Sequence, residues 1–164
     1  MSLAYYNVFD FDPDTNQQKY NELMEKFVKL TEGYLAVVTN INDGKATIGY
    51  GYTFERSDNV AQWKAANIWD SLSQGQKDKL IAIDAASTAS QKHQIPMTFD
   101  YSPSKEEATR LIPALLPQYE GPANSLGMIT SYEKAAFVSI TYNRGVAVVN
   151  STMQAFKADR KSVV

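Results

Sequence analysis

A chain of 164 residues with no cysteine and a single histidine, His93, excludes several chemistries at once. It can build no disulfide framework, cysteine–zinc site or cysteine nucleophile, and one imidazole leaves little room for a multi-histidine metal centre or a Ser-His-Asp triad. With 16 basic against 18 acidic residues, the net charge of −2 offers no broad basic face of the kind nucleic-acid binding depends on. Hydrophobic residues at 44% and charged residues at 21% are globular values, so disorder is excluded and one domain with its own core is expected, of one lobe or two. If the chain is an enzyme, carboxylates run it.

In chain order, residues 1–15 read as an N-terminal extension and 16–164 as the folded domain. The first fourteen residues are acidic and aromatic, without the basic start and apolar stretch of a secretory signal, and no run approaches a membrane span. The expected setting is synthesis in the cytoplasm. Asp12 to Asn16 supply helix-capping residues. Tyr20, Leu23, Met24, Phe27 and Leu30 then recur at helical spacing, which predicts an amphipathic helix over 16–31, closed by Gly33 in a left-handed cap.

The character then changes. Residues 34–39 are β-branched and apolar, and Asn42-Asp43-Gly44 carries a hairpin signal. Residues 46–54 read as one second strand, with Gly49 and Gly51 marking a bulge or a close backbone approach. Beyond this hairpin the chain reads helical. Helices are expected over 60–69, over 74–86 with Ser73 as cap, and from Ser102-Pro103 with proline at the first helical position. Pro113 and Pro117 must kink or break that helix. A capping box at Thr130 and Glu133 precedes a helix over 135–142 closed by Gly145, and a last helix fits 152–158. Gln91 to Gln94, with His93, read as a polar exposed loop. The fold class is therefore α+β, mostly helical with one small hairpin sheet.

The chemistry-bearing stretch runs from Glu32-Gly33 to Thr47-Ile48-Gly49-Tyr50-Gly51. A carboxylic acid ends a helix beside a strand whose glycines leave open space. Burial of such an acid disfavours its charged form, as general acid catalysis requires. Thr47 offers a hydroxyl that can orient a water. Glycosidic cleavage needs both, an acid on the leaving oxygen and a polar group that positions the attacking one. The plainer readings are a solvated Glu at a helix end and a strand Thr chosen for β-propensity.

This stretch resembles the phage-type lysozymes, the muramidases of bacteriophages and related bacteriocin domains. Their helix-ending Glu-Gly is followed by a hairpin and by Thr-Ile-Gly-Tyr-Gly, and Glu32, Gly44 and Thr47 fall in register with that pattern. Residues 104–111, 133–145 and 150–156 are similar to later family segments in family order. The resemblance implies a lysozyme-like two-lobe fold and hydrolysis of the glycan strand of bacterial peptidoglycan by a monomer, without cofactor or metal. Its partners would include neither nucleic acid nor an inserted membrane. Glu32 would be the general acid and Thr47 the water-positioning hydroxyl. Tyr50, Tyr52 and the amide of Asn143 would line the substrate cleft; packing of the two tyrosines and capping by Asn143 are the alternatives.

The chain also departs from the family. The family's catalytic Asp follows the Glu by nine residues, where this chain has Ile41. Asp43 is the first choice for the second carboxylate, with ordinary turn chemistry as its alternative, and Glu55 and Asp58 come next. Tyr52 stands where the family commonly has His. The chain stops soon after Phe156, where the family usually continues with more helices, so a truncated C-terminus is an expectation. The competing reading is a lysozyme-like scaffold that binds wall glycan or a protein partner without cutting.

Overall fold

In the computed structural model, which describes residues 13–40 and 44–162, a long first helix α1 spans Pro13–Glu32. Its buried stripe is Tyr20, Met24 and Val28 at four-residue spacing, whereas Leu30 is 85% exposed. The predicted face is thus rotated at its C-terminal end, because a four-residue repeat drifts about 40° per step around a 3.6-residue helix. Gly33 follows at φ +66°, the left-handed stop expected of it. Asp12, among the capping residues, lies outside the described residues.

The described residues divide into two compact units, one of residues 13–27 with 116–162, the other of residues 28–40 with 44–115. The second carries the sheet, in the order β1 (Leu35–Asn40), β2 (Ala46–Gly49), β3 (Tyr52–Thr53), antiparallel throughout. The single second strand expected over 46–54 is in fact two strands. Gly49 and Gly51 both adopt positive φ, +63° and +81°, and reverse the chain around Tyr50. Glycine reaches that region without the Cβ clash that other residues meet. The register pairs Thr39 with Thr47 and Thr47 with Thr53, so three threonines form one row across the sheet.

Helices α2 (Asn59–Ala65), α3 (Gln74–Ala85), α4 (Ala89–Met97) and α5 (Lys105–Arg110) complete this unit, with short 3-10 turns at Trp69–Ser71 and Ile112–Ala114. Ser73 caps α3 in a capping box with Gln76, as the sequence predicts. The helix predicted from Ser102-Pro103 starts later, because Ser104 and Glu107 form a capping box of their own and leave Pro103 outside. Helix α4 takes in Gln91 to Gln94, the stretch whose sequence reads as a polar loop. Thr88 caps it by accepting from the Gln91 amide, which is the signal that its polar sequence obscured. The core is an aromatic cluster: Tyr52, Phe54, Phe99 and Tyr101 surround Trp63, each ring centre within 5.3–6.2 Å of the indole.

A polar hub sits against this cluster. Buried Asn59 accepts from the Tyr52 hydroxyl at 2.8 Å and donates to the carbonyls of Phe54 and Arg56. Asp84 of α3 accepts from the backbone N–H groups of Asn59 and Val60 at 2.8 and 2.9 Å, and from the Asn59 amide. The local cap residue Asp58 makes no side-chain cap bond to α2, so a carboxylate from another helix does that work.

In the other unit, residues 13–27 of α1 join α6 (Leu116–Ser125), α7 (Tyr132–Arg144) and α8 (Val146–Ser162). Tyr20 donates to Glu120 at 2.8 Å, and Phe27 and Tyr119 pack on Tyr142 at ring separations of 5.6 and 4.6 Å. The N-cap of α7 is Ser131 rather than Thr130, whose hydroxyl is turned to Gln17. Gly145 ends α7 at φ +84°, and α8 starts immediately after it, well before the predicted residue 152.

Asp84→Ala removes both acceptors of the first two α2 amides, and chemical denaturation should show a loss of about 2 kcal/mol, the usual cost of stranding buried donors. Asp84→Asn, which keeps one acceptor, should lose less.

Candidate functional site

Glu32 is the last residue of α1, and its side chain lies against the glycine turn between β2 and β3. A Cβ on Gly51 would stand 2.8 Å from Glu32 Cγ and Oε2 and 3.0 Å from Cδ. The carboxylate therefore occupies space that only glycine leaves. It is partly exposed, and among the described residues it takes no hydrogen bond. Thr47 lies on the central strand, 1% exposed, and its Oγ1 has no hydrogen-bond partner. A buried hydroxyl without a partner is uncommon, and a water with polar neighbours is the ordinary way to satisfy one. Glu32 and Thr47 thus belong to one unit and to one small sheet with its adjoining helix end.

The remaining predicted residues divide. Tyr50 sits at the tip of the glycine turn, partly exposed, its ring 5.6 Å from that of Tyr34. Tyr52 does not share that position. It is 1% exposed, stacked edge-on against Trp63 and bonded to Asn59, so it packs the core and has no surface for a sugar. Splitting the strand into two at Tyr50 separated residues that strict alternation had put on one face. Burial also pushes the Tyr52 hydroxyl above its ordinary range, with Arg56 opposing the rise.

Ile41 and Asp43 lie outside the described residues. Asp58 is held by Arg56, at 2.5 Å from Nε and 3.0 Å from Nη2, and by Gln62 at 2.7 Å. The Arg56 hydrogen bond keeps its carboxyl below the ordinary value; partial burial opposes this and Gln62 reinforces it. Asn143 belongs to the all-helical unit, on the exposed side of α7, where its amide donates to the Ser139 carbonyl one turn back. Arg144, also exposed, lines a groove of about 360 Å³ between α7 and α8 with Phe137, Ile140, Val148 and Met153. Of the two tryptophans, Trp63 is core, whereas Trp69 is partly exposed between the ammonium groups of Lys64 and Lys77, 4.9 and 5.6 Å from its ring. His93 is on α4, half-buried rather than exposed, with Nδ1 unpartnered.

Residue-by-residue reading did not single out Tyr34 and the two lysines near it. Tyr34 donates its hydroxyl to the Pro103 carbonyl, and Lys29 and Lys105 stand over the Tyr50 and Tyr34 rings. No periodicity signals such a grouping, since its members come from α1, the link to β1, the glycine turn and α5. No group of three or more metal-ligating side chains occurs among the described residues, and no described helix is long and apolar enough to cross a membrane. Comparison with protein-family models, curated proteins and solved structures gives no match.

Gly51→Ala should push the Glu32 carboxylate out of place and strain a backbone at positive φ. The strain should cost about 1–2 kcal/mol of stability, read by denaturant unfolding, with any Glu32-dependent activity falling further than that loss explains. The Asp58 pair should show in acid. Because the folded carboxyl titrates below 3.8, its contribution is complete above that value and is lost as pH falls through the depressed one. The melting-temperature gap between parent and Asp58→Asn should therefore narrow as pH falls below 3.8.

Proposed function

We propose that this protein is a muramidase-like glycoside hydrolase acting on the glycan strand of bacterial peptidoglycan, with Glu32 as general acid and Thr47 positioning the water. The observation that carries the reading is a helix-ending carboxylic acid seated where Gly51 lacks a Cβ, in the same compact unit as a buried, unpartnered hydroxyl on β2. In this scheme the Glu32 proton passes to the leaving glycosidic oxygen as the bond to the anomeric carbon breaks. Water adds its oxygen to that carbon, and its proton is taken up by a carboxylate. Asp43 is the proposed acceptor, being the nearest acid in sequence to the position the resemblance reserves for one.

A second reading is a scaffold that holds wall glycan without cutting it. Ile41 favours it, because an apolar residue stands where the related enzymes carry their catalytic Asp.

Release of reducing ends from purified sacculi separates the two. Glu32→Gln should lower the rate by ~10²–10⁴, the worth of a positioned general acid, with folding unchanged by circular dichroism. Thr47→Val keeps the side-chain shape and removes the orphaned hydroxyl. It should slow hydrolysis while leaving stability equal or higher by up to about 1 kcal/mol, since a buried unsatisfied hydroxyl is itself a cost. Parental rates in Glu32→Gln would overturn the acid assignment. Sacculus binding with no reducing ends released would favour the binder.

A further inference from the structure

The three threonines of the row across the sheet differ in what their hydroxyls do. Thr39 on β1 donates to the Val37 carbonyl at 3.0 Å. Thr47 on β2 is 1% exposed and its Oγ1 has no partner. Thr53 on β3 is half-buried, and its hydroxyl makes no hydrogen bond among the described residues. The register sets Thr47 directly opposite Thr53. The Phe54 N–H donates to the Ala46 carbonyl at 3.1 Å, so Ala46 and Phe54 form a hydrogen-bonded pair, and the next pair toward the turn, Thr47 with Thr53, is a non-hydrogen-bonded one. In such a pair the Cα atoms are about 4.5 Å apart, and the two side chains share a face and come closest together.

Two hydroxyls at that spacing, neither engaged elsewhere, are one water apart. A bridging water needs at least two polar partners, and this pair supplies them. Solvent comes from the Thr53 side, because Thr53 is half-buried where Thr47 is closed. We infer that the hydroxyls of Thr47 and Thr53 together hold one water molecule, with Thr53 as its second positioning residue. One hydrogen bond leaves a water free to turn about it, whereas two fix the direction of its lone pair. Thr53 lies two residues beyond Gly51, about 7 Å of strand, and the Glu32 carboxylate lies against Gly51. That is the scale on which an acid and an attacking water flank one glycosidic bond. The catalytic use of this water rests on the hydrolase reading and deepens it. The water oxygen bonds to the anomeric carbon as the bond to the leaving oxygen breaks, Glu32 protonates that oxygen, and the proton of the water passes to a carboxylate.

The test compares the parent with Thr53→Val, which keeps the shape and strand propensity, and with Thr53→Ser, which keeps the hydroxyl. High-resolution crystal structures should show one water within about 3.2 Å of both Thr47 Oγ1 and Thr53 Oγ1 in the parent. The same water should be present in Thr53→Ser and absent in Thr53→Val. In reducing-end release from sacculi, Thr53→Val should lower kcat about tenfold with KM unchanged, the scale of one hydrogen bond lost in the transition state, and Thr53→Ser should restore it. No water between the two hydroxyls in the parent, or the same water retained in Thr53→Val, overturns the site. Parental kcat in Thr53→Val overturns the positioning role and leaves the muramidase reading standing. A bridging water in a parent that releases no reducing ends upholds the site and sinks the hydrolase reading instead.

Discussion

The contact of the Glu32 side chain with the missing side chain of Gly51 constrains the arrangement around it. At φ +81° residue 51 already favours glycine, and a Cβ there would meet three atoms of the Glu32 side chain at 3.0 Å or less. The same glycine therefore reverses the chain between β2 and β3 and receives the end of α1. A helix terminus and a tight turn are held in register by a shape condition rather than by a hydrogen bond. Such a condition tolerates a polar, partly exposed acid. A hydrogen-bonded seat would have tied its carboxylate up, as Arg56 ties that of Asp58.

Around that contact the unit is rigid where it must be. Tyr52, immediately after the turn, is locked by Trp63 and by Asn59, and Asn59 is locked in turn by Asp84. Each group in this chain satisfies a neighbour that would otherwise be a buried donor or acceptor without a partner. The Thr47 hydroxyl, one strand away, is buried and unpaired, and so is the Trp63 indole N–H. At Thr47 a water or a ligand oxygen is the ordinary way to satisfy such a group.

Local sequence signals held where the interaction is local. The stop at Gly33, the Ser73 box with Gln76 and the close of α7 at Gly145 all lie within a few residues of the groups they satisfy, and each was readable. They failed where two local solutions competed. Ser104 outbid Pro103 for the start of α5, Ser131 outbid Thr130 for α7, and the polar run around His93 hid a helix that Thr88 begins.

What the residues alone determined is the α+β composition, the order in which the small sheet follows the first helix, and the placement of Glu32 at a helix end and Thr47 on a strand. These follow from periodicity and turn chemistry, which act over one or two turns of chain. The tertiary structure decided which tyrosine is available. Tyr50 and Tyr52 are indistinguishable by type and spacing, yet one lies partly exposed at a turn and the other under an indole. It also decided that Asp84, far along the chain, caps α2, and that two lysines from separate helices meet the same pair of rings. The reason is common to all three: burial and cation–ring proximity are set by which segments pack together, and no local pattern encodes a neighbour supplied by a distant stretch of chain.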